Sequence, residues 1–394
     1  MSQTKVYTVD RINLISNEMK LNICAKDEKM NILFRWCLCV LLFVSIMQSA
    51  SFGVVVDMRQ DISSDLFTSA ESGVWECPMQ NAKFPFDEAI YSWNTSINND
   101  EGFRLYIRLE LEDKHQSPWL YGGFWGKVKP RPDDILTSFT SGGIDLDQIL
   151  LKKKAQSYQF RVVSEGEKIL TAPPSIHFIY TDNQTTTDTL KKFALKPQKG
   201  KSPILDIPFR AQNDSSGNYI KSTCQSAALG SAMEYFGKRI NHEDIAPMIY
   251  DSEYNARGIW PRIIATAHHF GFKSYIDRFR DWDYVRATLA ENKVILASIT
   301  MPKDGDYIDP PYSSMGGHII VLNGITDDGR VIVTDSALSI KNKGYRLQWL
   351  APDFEKIWMK QKGGVGLVIC PPKDAKLKEV KYLAPFKSYK KEAK

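Results

Sequence analysis

The first half of the chain carries the hydrophobic pattern of β-strands. Residues 105–112, Leu-Tyr-Ile-Arg-Leu-Glu-Leu-Glu, alternate between apolar and polar side chains with a period of two, as expected of a strand with one buried face. Residues 88–93 and 158–163 show similar patterns, and the polar segment 98–102 is typical of a turn. Several short strands joined by polar turns predict an all-β, sandwich-like domain over residues 52–182.

The second half of the chain mixes helical and strand patterns. Helices are predicted directly after Cys224 and over residues 242–250, 259–270 and 281–291, and strands over residues 294–299, 318–323, 330–334, 344–349 and 366–369. Helices that come first and strands that follow indicate an α+β domain, which we assign to residues 202–372. The polar residues 183–201 have the composition of a linker. Residues 373–394 are rich in lysine and predict a flexible, solvated tail.

The N-terminal region has the layout of a signal peptide. Arg35 precedes the largely apolar residues 36–47, which are followed by the small residues 49–51, Ser-Ala-Ser. This apolar run is shorter than the roughly 20 residues that cross a bilayer. We therefore predict a signal-peptide region over residues 1–51, with Met30 as an alternative start, and a secreted or periplasmic protein. An uncleaved membrane anchor is the alternative interpretation.

Composition and charge exclude some classes of function. With 43% hydrophobic and 25% charged residues, the chain has the composition of a globular protein. The formal net charge is +5, and the tail alone has a surplus of five lysines over acidic residues, so the remainder is close to neutral. Binding of nucleic acid by the folded body therefore has no electrostatic support. No Cys/His cluster has the spacing of a zinc site, and we expect no metal or cofactor.

The cysteines leave at least one free thiol. Removal of residues 1–51 would leave Cys77, Cys224 and Cys370. Three cysteines cannot all pair within one chain, and a bridge between Cys77 and Cys370 is one arrangement that the sequence allows. Cys224 is then the candidate for a free, reactive thiol.

The sequence around Cys224 predicts a nucleophile at the start of a helix. Ser222 or Thr223 would cap this helix, and Gly237 fits the position just past its end. In the first turn, unpaired N–H groups and the helix dipole favour a thiolate over a thiol. We therefore expect the pKa of the Cys224 thiol to be lowered.

A thiol nucleophile also needs a base, a group that orients the base, and donors for an oxyanion. His318 follows two glycines and opens an apolar strand, which sets it apart from the other histidines. Asp335 ends the next strand and would face His318 if the two strands pair as a hairpin, although Asp-Ser is also common in turns. Gln212 could donate to an oxyanion together with the backbone N–H of Cys224.

These motifs together resemble the papain-like C39-type cysteine peptidases, and more closely the exported members with an N-terminal β-domain. The likeness covers most of residues 84–372. It rests on Pro-Phe-Arg-Ala-Gln212, on Cys224 and the helix that ends in Met-Glu-Tyr-Phe-Gly, on Gly-Gly-His318-Ile-Ile-Val-Leu and on Val-Ile-Val-Thr-Asp335. The resemblance implies that Cys224 is the nucleophile, His318 the base, Asp335 the orienting residue and Gln212 a residue of the oxyanion hole.

The chain departs from the family pattern at two places. The family usually has Gly-Pro or Ser-Pro after the cysteine, where this chain has Gln225-Ser226. The family often has Asn-Asp-Pro where this chain has Thr334-Asp335-Ser336. The first departure concerns the residue next to the expected nucleophile.

The leading hypothesis is an exported cysteine hydrolase that cleaves a peptide or other amide bond through a thioester. Its partner would be a peptide or protein substrate. An inactive, peptidase-like protein that binds a cell-envelope or polymer ligand is the alternative. Association with the cell envelope would then use the β-domain or the lysine-rich tail of residues 373–394. Transfer of the acyl group to an amine is a third hypothesis.

Overall fold

The computed structural model describes residues 54–185, 202–213, 216–218, 220–338 and 341–387. The predicted signal-peptide region and most of the predicted linker lie outside these residues, as does the end of the tail. No helix among the described residues combines the length and the apolar character that crossing a lipid bilayer requires.

Residues 54–185 form the predicted all-β region, which we call the β-domain. Its strands are β1 Val54–Ile62, β2 Thr68–Glu71, β3 Val74–Glu76, β4 Gln80–Asn94, β5 Gly102–Leu111, β6 Leu120–Gly126, β7 Ser138–Phe139, β8 Gly142–Asp145, β9 Gln148–Ser164 and β10 Ser175–Thr185, with a 3₁₀-helix at Ser64–Leu66. The central hydrogen-bonded order is β1-β10-β4-β9-β3-β2. β5 and β8 also pair with β9, β6 pairs with β5, and β7 pairs with β8. Every pairing between two of these ten strands is antiparallel.

The core of this domain follows from the alternating pattern. Along β5, the side chains of Leu105, Ile107 and Leu109 are fully buried, while the polar residues between them are partly exposed. Aromatic rings fill the interior, for example Tyr158 against Phe178 with ring centroids 4.2 Å apart. Burial of such large apolar surfaces is the main source of stability for a sheet domain.

The second domain is of the predicted α+β class, but one strand lies among its first helices and two short helices lie between its later strands. Its helices are α1 Cys224–Tyr235, α2 His242–Ile249, α3 Trp260–His269, α4 Trp282–Ala290, α5 Lys341–Gly344 and α6 Ala351–Glu355, which continues into a π-helical turn at Lys356–Lys360. Its strands are β11 Ser274–Arg278, β12 Val294–Met301, β13 Met315–Ile325, β14 Arg330–Thr334, β15 Leu347–Leu350 and β16 Val365–Ile369. They form an antiparallel sheet in the order β11-β16-β12-β13-β14-β15. β11, α5 and α6 are not predicted from the sequence pattern, and the strand predicted over residues 344–349 begins only at Leu347, as β15.

Helix α1 lies at the centre of this domain. Its residues are mainly small, and nearly all of them are buried, including Ala228, Leu229 and Met233. A helix that is buried on all sides must pack against several neighbours. α1 accordingly contacts β13, α2 and α3, so the helix lies against the sheet.

Ion pairs and hydrogen bonds join the two domains along β11. The ion pairs are Arg59–Asp277 at 2.8 Å, Arg280–Asp57 at 2.7 Å and Arg278–Glu88. The Nδ2 of Asn94 also donates to the Ser274 carbonyl at 2.7 Å. Because Asp277 and Arg278 are buried, removing one partner would leave the other charge uncompensated.

Part of the stretch predicted as a flexible tail is attached to the second domain. Residues 373–387 are mostly exposed. Backbone hydrogen bonds nevertheless link Val380 N to Ile204 O at 2.7 Å and Asp206 N to Lys378 O at 2.9 Å. The described part of this stretch is therefore anchored beside the beginning of the domain.

The N-terminus of α3 is capped from the β-domain. Ile259 stands at the cap position of α3 and has no side-chain acceptor, whereas Asp147 in the β8–β9 turn accepts a hydrogen bond from Trp260 N at 2.7 Å. Burial raises the pKa of Asp147 to about 7. The carboxyl therefore ties a helix of one domain to a turn of the other.

Replacing Asp147 by alanine is expected to lower the free energy of unfolding by about 1–2 kcal/mol, because the Trp260 N–H loses its acceptor. The Asp147→Asn variant keeps an acceptor oxygen and is the matched control. The pKa of Asp147 in the folded protein lies above its ordinary value of 3.8. The contribution of Asp147 to stability is therefore fully present below pH 3.8 and is lost as the pH rises through about 7. In denaturant unfolding, the free energy of unfolding of the asparagine variant relative to wild type should therefore be larger at pH 8 than at pH 6. Equal stability of the alanine and asparagine variants would contradict the cap.

Candidate active site

Cys224 is the first residue of α1, as predicted, but the helix is not capped as predicted. Thr223 stands at the cap position without accepting a hydrogen bond from the helix. Its hydroxyl donates to the carbonyl of Ile220 at 2.7 Å instead. At the other end Gly237 has a φ of 92°, the left-handed conformation that glycine allows at a helix C-terminus. The first turn of α1 therefore lacks the predicted side-chain cap from Thr223.

His318 and Asp335 meet across β13 and β14. Nε2 of His318 lies 2.8 Å from Oδ1 of Asp335, and both side chains are buried. The predicted meeting of these two residues is confirmed. The same Oδ1 accepts a hydrogen bond from Ala337 N at 2.9 Å, while Oδ2 is buried and has no hydrogen-bond partner among the described residues.

Burial sets the protonation of this pair. It raises the pKa of Asp335 to about 7 and lowers the pKa of His318 to about 4. Both shifts have the same physical cause, since a low-dielectric environment disfavours the charged form of each group. The imidazole is therefore neutral at pH 7. Because Nε2 is occupied by Asp335, Nδ1 is the ring nitrogen that remains to accept a proton from a nucleophile.

The thiol of Cys224 lies beside the strand that carries His318. The sulfur interacts with the backbone N–H of Ile319, the residue after His318. Burial raises the pKa of the Cys224 thiol, an effect that the backbone N–H groups of Ile319 and Gln225 oppose and the charge of Asp335 reinforces. The expectation of a lowered pKa is therefore wrong, because desolvation of the sulfur outweighs the helix N-terminus.

Gln212 lies next to the same pair. Its side chain is buried, and its Nε2 donates a hydrogen bond to Oγ of Ser336 at 3.3 Å. Ser336 directly follows Asp335 in the chain. The Gln212 carbonyl accepts a hydrogen bond from Ile220 N at 2.6 Å, which closes a loop shortly before Cys224. Gln212 is thus brought to the site, and its role at an oxyanion stays a prediction.

Arg210 attaches the Gln212 segment to the helix of Cys224, and sequence reasoning missed it. Its Nε donates to Oε2 of Glu234 on α1 at 2.6 Å. Gly230 on the same helix leaves room for the guanidinium, because a Cβ there would lie 2.8 Å from Nη1 of Arg210. Both residues lie inside motifs noted in the sequence, Pro-Phe-Arg-Ala-Gln212 and Met-Glu-Tyr-Phe-Gly, but only the structure shows that they pair.

Gly344 supports the backbone of Asp335. The carbonyl of Gly344 accepts a hydrogen bond from Asp335 N at 2.8 Å. A Cβ at Gly344 would lie 2.2 Å from the Asp335 carbonyl oxygen, a contact that requires the backbone to move. A residue with no side chain is therefore required beside the partner of His318.

The Gly344→Ala variant is expected to unfold about 1–3 kcal/mol more easily than wild type, because the added methyl group cannot be accommodated without displacing Asp335. Gly316→Ala is the matched control, since a Cβ at Gly316 meets no atom within 4 Å. Denaturant unfolding of both variants measures the difference. If Gly344→Ala were as stable as Gly316→Ala, the close contact with Asp335 would not exist in solution.

The remaining thiols do not form a disulfide among the described residues. Cys77 is buried and Cys370 is half-buried, and both are free, as is Cys224. In the same part of the chain, no group of three or more His, Cys, Asp or Glu side chains is placed to hold a metal ion.

A comparison with protein-family models gives one match. Residues 204–365 match the model of the Peptidase_C39 like family. A search of curated proteins finds no significant match.

Solved structures similar to this chain are peptidase domains of low sequence identity. A protein described as a C39-like peptidase from Bacillus anthracis has 14% identity and a TM-score of 0.33, covering 45% of this chain and 100% of its own. A double-glycine motif protease from an AMS/PCAT transporter, solved with its leader peptide, has 13% identity and a TM-score of 0.30, covering 44% and 100%. The peptidase domain of Streptococcus ComA, a bifunctional ABC transporter of a quorum-sensing pathway, has 13% identity and a TM-score of 0.27, covering 39% and 96%. The match to the Peptidase_C39 like family covers residues 204–365 and describes that region of the chain alone.

Proposed function

We propose that this chain hydrolyses peptide or other amide bonds, with Cys224 as the nucleophile. One observation carries the proposal: His318 forms a buried pair with Asp335, with Nε2 and Oδ1 2.8 Å apart, and β13, the strand of His318, packs against the helix that begins with Cys224. The interaction of the sulfur with the N–H of Ile319 supports the closeness of thiol and base. The family match of residues 204–365 supports a hydrolase of the peptidase type.

The protonation states favour general-base attack over a preformed ion pair. The pKa of His318 is lowered to about 4, so its Nδ1 is free of a proton whenever the tautomer places hydrogen on Nε2 toward Asp335. The raised pKa of Cys224 keeps the resting sulfur protonated. Base and nucleophile are therefore both neutral before substrate arrives, and the proton moves during attack.

The reaction then balances in two stages. The sulfur of Cys224 forms a bond to the substrate carbonyl carbon while its proton passes to Nδ1 of His318, and Asp335 stabilises the resulting imidazolium. The carbon–nitrogen bond breaks as the same proton passes to the leaving amine, which leaves a thioester. Water attacks the thioester with His318 again as base, releasing a carboxylic acid and restoring the thiol. Gln212 and the Cys224 N–H would donate to the oxyanion in each stage.

The pattern of residues 1–51 supports placing this activity outside the cytoplasm. A signal-peptide layout precedes the domain that carries Cys224. The substrate would then be a peptide or protein encountered after export. The lysine-rich stretch that starts at residue 373 would attract the protein to an anionic envelope surface.

A peptide library tests the proposed function. The full chain is incubated with peptides from a digested proteome, and new termini are identified by mass spectrometry beside a Cys224→Ala control. We expect new termini that depend on Cys224. Cleavage that persists in the control, or no cleavage at all from pH 5 to pH 9, would overturn the proposal.

A binding protein without catalysis is the second candidate, and the protonated resting thiol favours it. A thiol with a raised pKa is a poor nucleophile until its proton is removed. A binding protein would retain particular library peptides uncut, and retention would not change in the Cys224→Ala control.

A further inference from the structure

Gln225, the residue at which the chain departs from the family pattern, makes direct contact with the thiol. Its side chain is 2% exposed. Oε1 lies 3.2 Å from Sγ of Cys224, and Nε2 lies 3.3 Å from the carbonyl oxygen of Ser222. The side-chain amide therefore spans the short segment from Ser222 to Cys224.

The contact with Ser222 fixes which end of the amide faces the sulfur. A carbonyl oxygen only accepts hydrogen bonds, so the NH₂ end of Gln225 must face Ser222. The opposite end, which faces Cys224, is then an oxygen and can only accept. The sulfur must supply the hydrogen, and the contact forms only with the protonated thiol.

The backbone before the nucleophile is shaped to hold this arrangement. Ser222 has a φ of 61°, in the left-handed region that residues other than glycine rarely adopt. This conformation directs the Ser222 carbonyl toward the amide of Gln225. Strained backbone persists where its surroundings determine it, and such positions cluster at functional sites.

We propose that Gln225 is a positioning residue that holds Cys224 as a resting thiol, with its proton directed away from His318, until substrate releases the contact. The inference rests on the proposed function, since it assigns the resting state of the same nucleophile. A hydrogen bond to the neutral form of an acid disfavours its ionised form. When the contact breaks, the S–H is free to turn toward Nδ1 of His318, and the N–H of Ile319 can stabilise the sulfur as it loses its proton.

Site-specific alkylation tests the role of Gln225. The rate at which iodoacetamide modifies Cys224 is measured by peptide mass spectrometry from pH 5 to pH 9 in wild type, Gln225→Met and Gln225→Glu. The methionine variant keeps the volume but lacks the acceptor, so Cys224 should react about three- to tenfold faster at pH 7, with its pH profile shifted to lower pH. The glutamate variant places a negative charge beside the sulfur and should react more slowly than wild type.

Two other thiols provide internal controls in the same samples. Cys370 is half-buried and should react at an unchanged rate, and the buried Cys77 reports on folding because it becomes reactive when the chain unfolds. If Cys77 becomes reactive in the methionine variant, the glutamate variant decides the question. Equal Cys224 profiles in wild type and a folded Gln225 variant would overturn the inference.

The outcome is separable from that of the proposed function, because alkylation does not require hydrolysis. A shifted alkylation profile in a protein that cleaves no peptide would support the role of Gln225 and overturn the hydrolase. Peptide cleavage together with unshifted alkylation profiles of Cys224 would support the hydrolase and overturn the role of Gln225.

Discussion

Replacing Cys224 by alanine is expected to lower kcat/KM for peptide hydrolysis by about 10⁴-fold or more. Loss of the nucleophile in a catalytic unit of this kind removes nearly all of the rate enhancement, because base and orienting residue act only through it. The substitution removes a half-buried sulfur at the start of α1 and leaves the apolar contacts of the helix in place. Stability should therefore change little while activity disappears.

Cys370→Ala is the matched control for this substitution. Cys370 is also free and half-buried, but it lies at the end of β16 with its N–H bonded to the Lys273 carbonyl at 2.9 Å. The Cys370→Ala variant should retain full activity. The assignment of the nucleophile would be wrong if Cys224→Ala kept measurable hydrolysis or if Cys370→Ala lost it.

Replacing Asp335 by asparagine is expected to lower kcat by about 10³- to 10⁴-fold, as loss of the orienting carboxylate does in a triad. Asparagine keeps the shape of the side chain beside His318 but removes the charge that stabilises the imidazolium. It also places an amide NH₂ where Oδ2 is buried without a partner, which carries a desolvation cost.

The pH profile separates this role from a merely structural one. Because the pKa of Asp335 is raised to about 7, the carboxylate becomes charged only as pH rises through that value. Wild-type kcat/KM should therefore rise between pH 6 and pH 8, and the step should be missing in Asp335→Asn. Asp133→Asn, at an exposed position in the β-domain, is the control. An unchanged step in Asp335→Asn would exclude Asp335 as its source.

The fold follows from the sequence where burial depends on apolar side chains. β5 was predictable because Leu105, Ile107 and Leu109 alternate with polar residues and occupy the core. β11 was not predictable because Asp277 and Arg278 are buried by ion pairs with the other domain. Pairing between distant segments leaves no periodic pattern in either of them.

The candidate site was predictable to a similar extent. His318 and Asp335 meet because they lie on neighbouring strands of a hairpin, a relation that the glycine turn between the strands already indicates. The direction of the pKa shift of Cys224 was wrongly predicted because it depends on desolvation of the sulfur and on the charge of Asp335, which local sequence does not reveal. The predicted cap at Thr223 is absent because the Thr223 hydroxyl donates its hydrogen bond to the Ile220 carbonyl instead.

Detection of a thioester on Cys224 tests the central claim most directly. The full chain is mixed with a peptide that it cleaves, quenched in acid after increasing times and examined by intact and peptide mass spectrometry. We predict an adduct with the mass of the acyl part of the substrate, located on Cys224 and removed by hydroxylamine. Cleavage without any adduct on Cys224, or an adduct on another residue, would contradict the account.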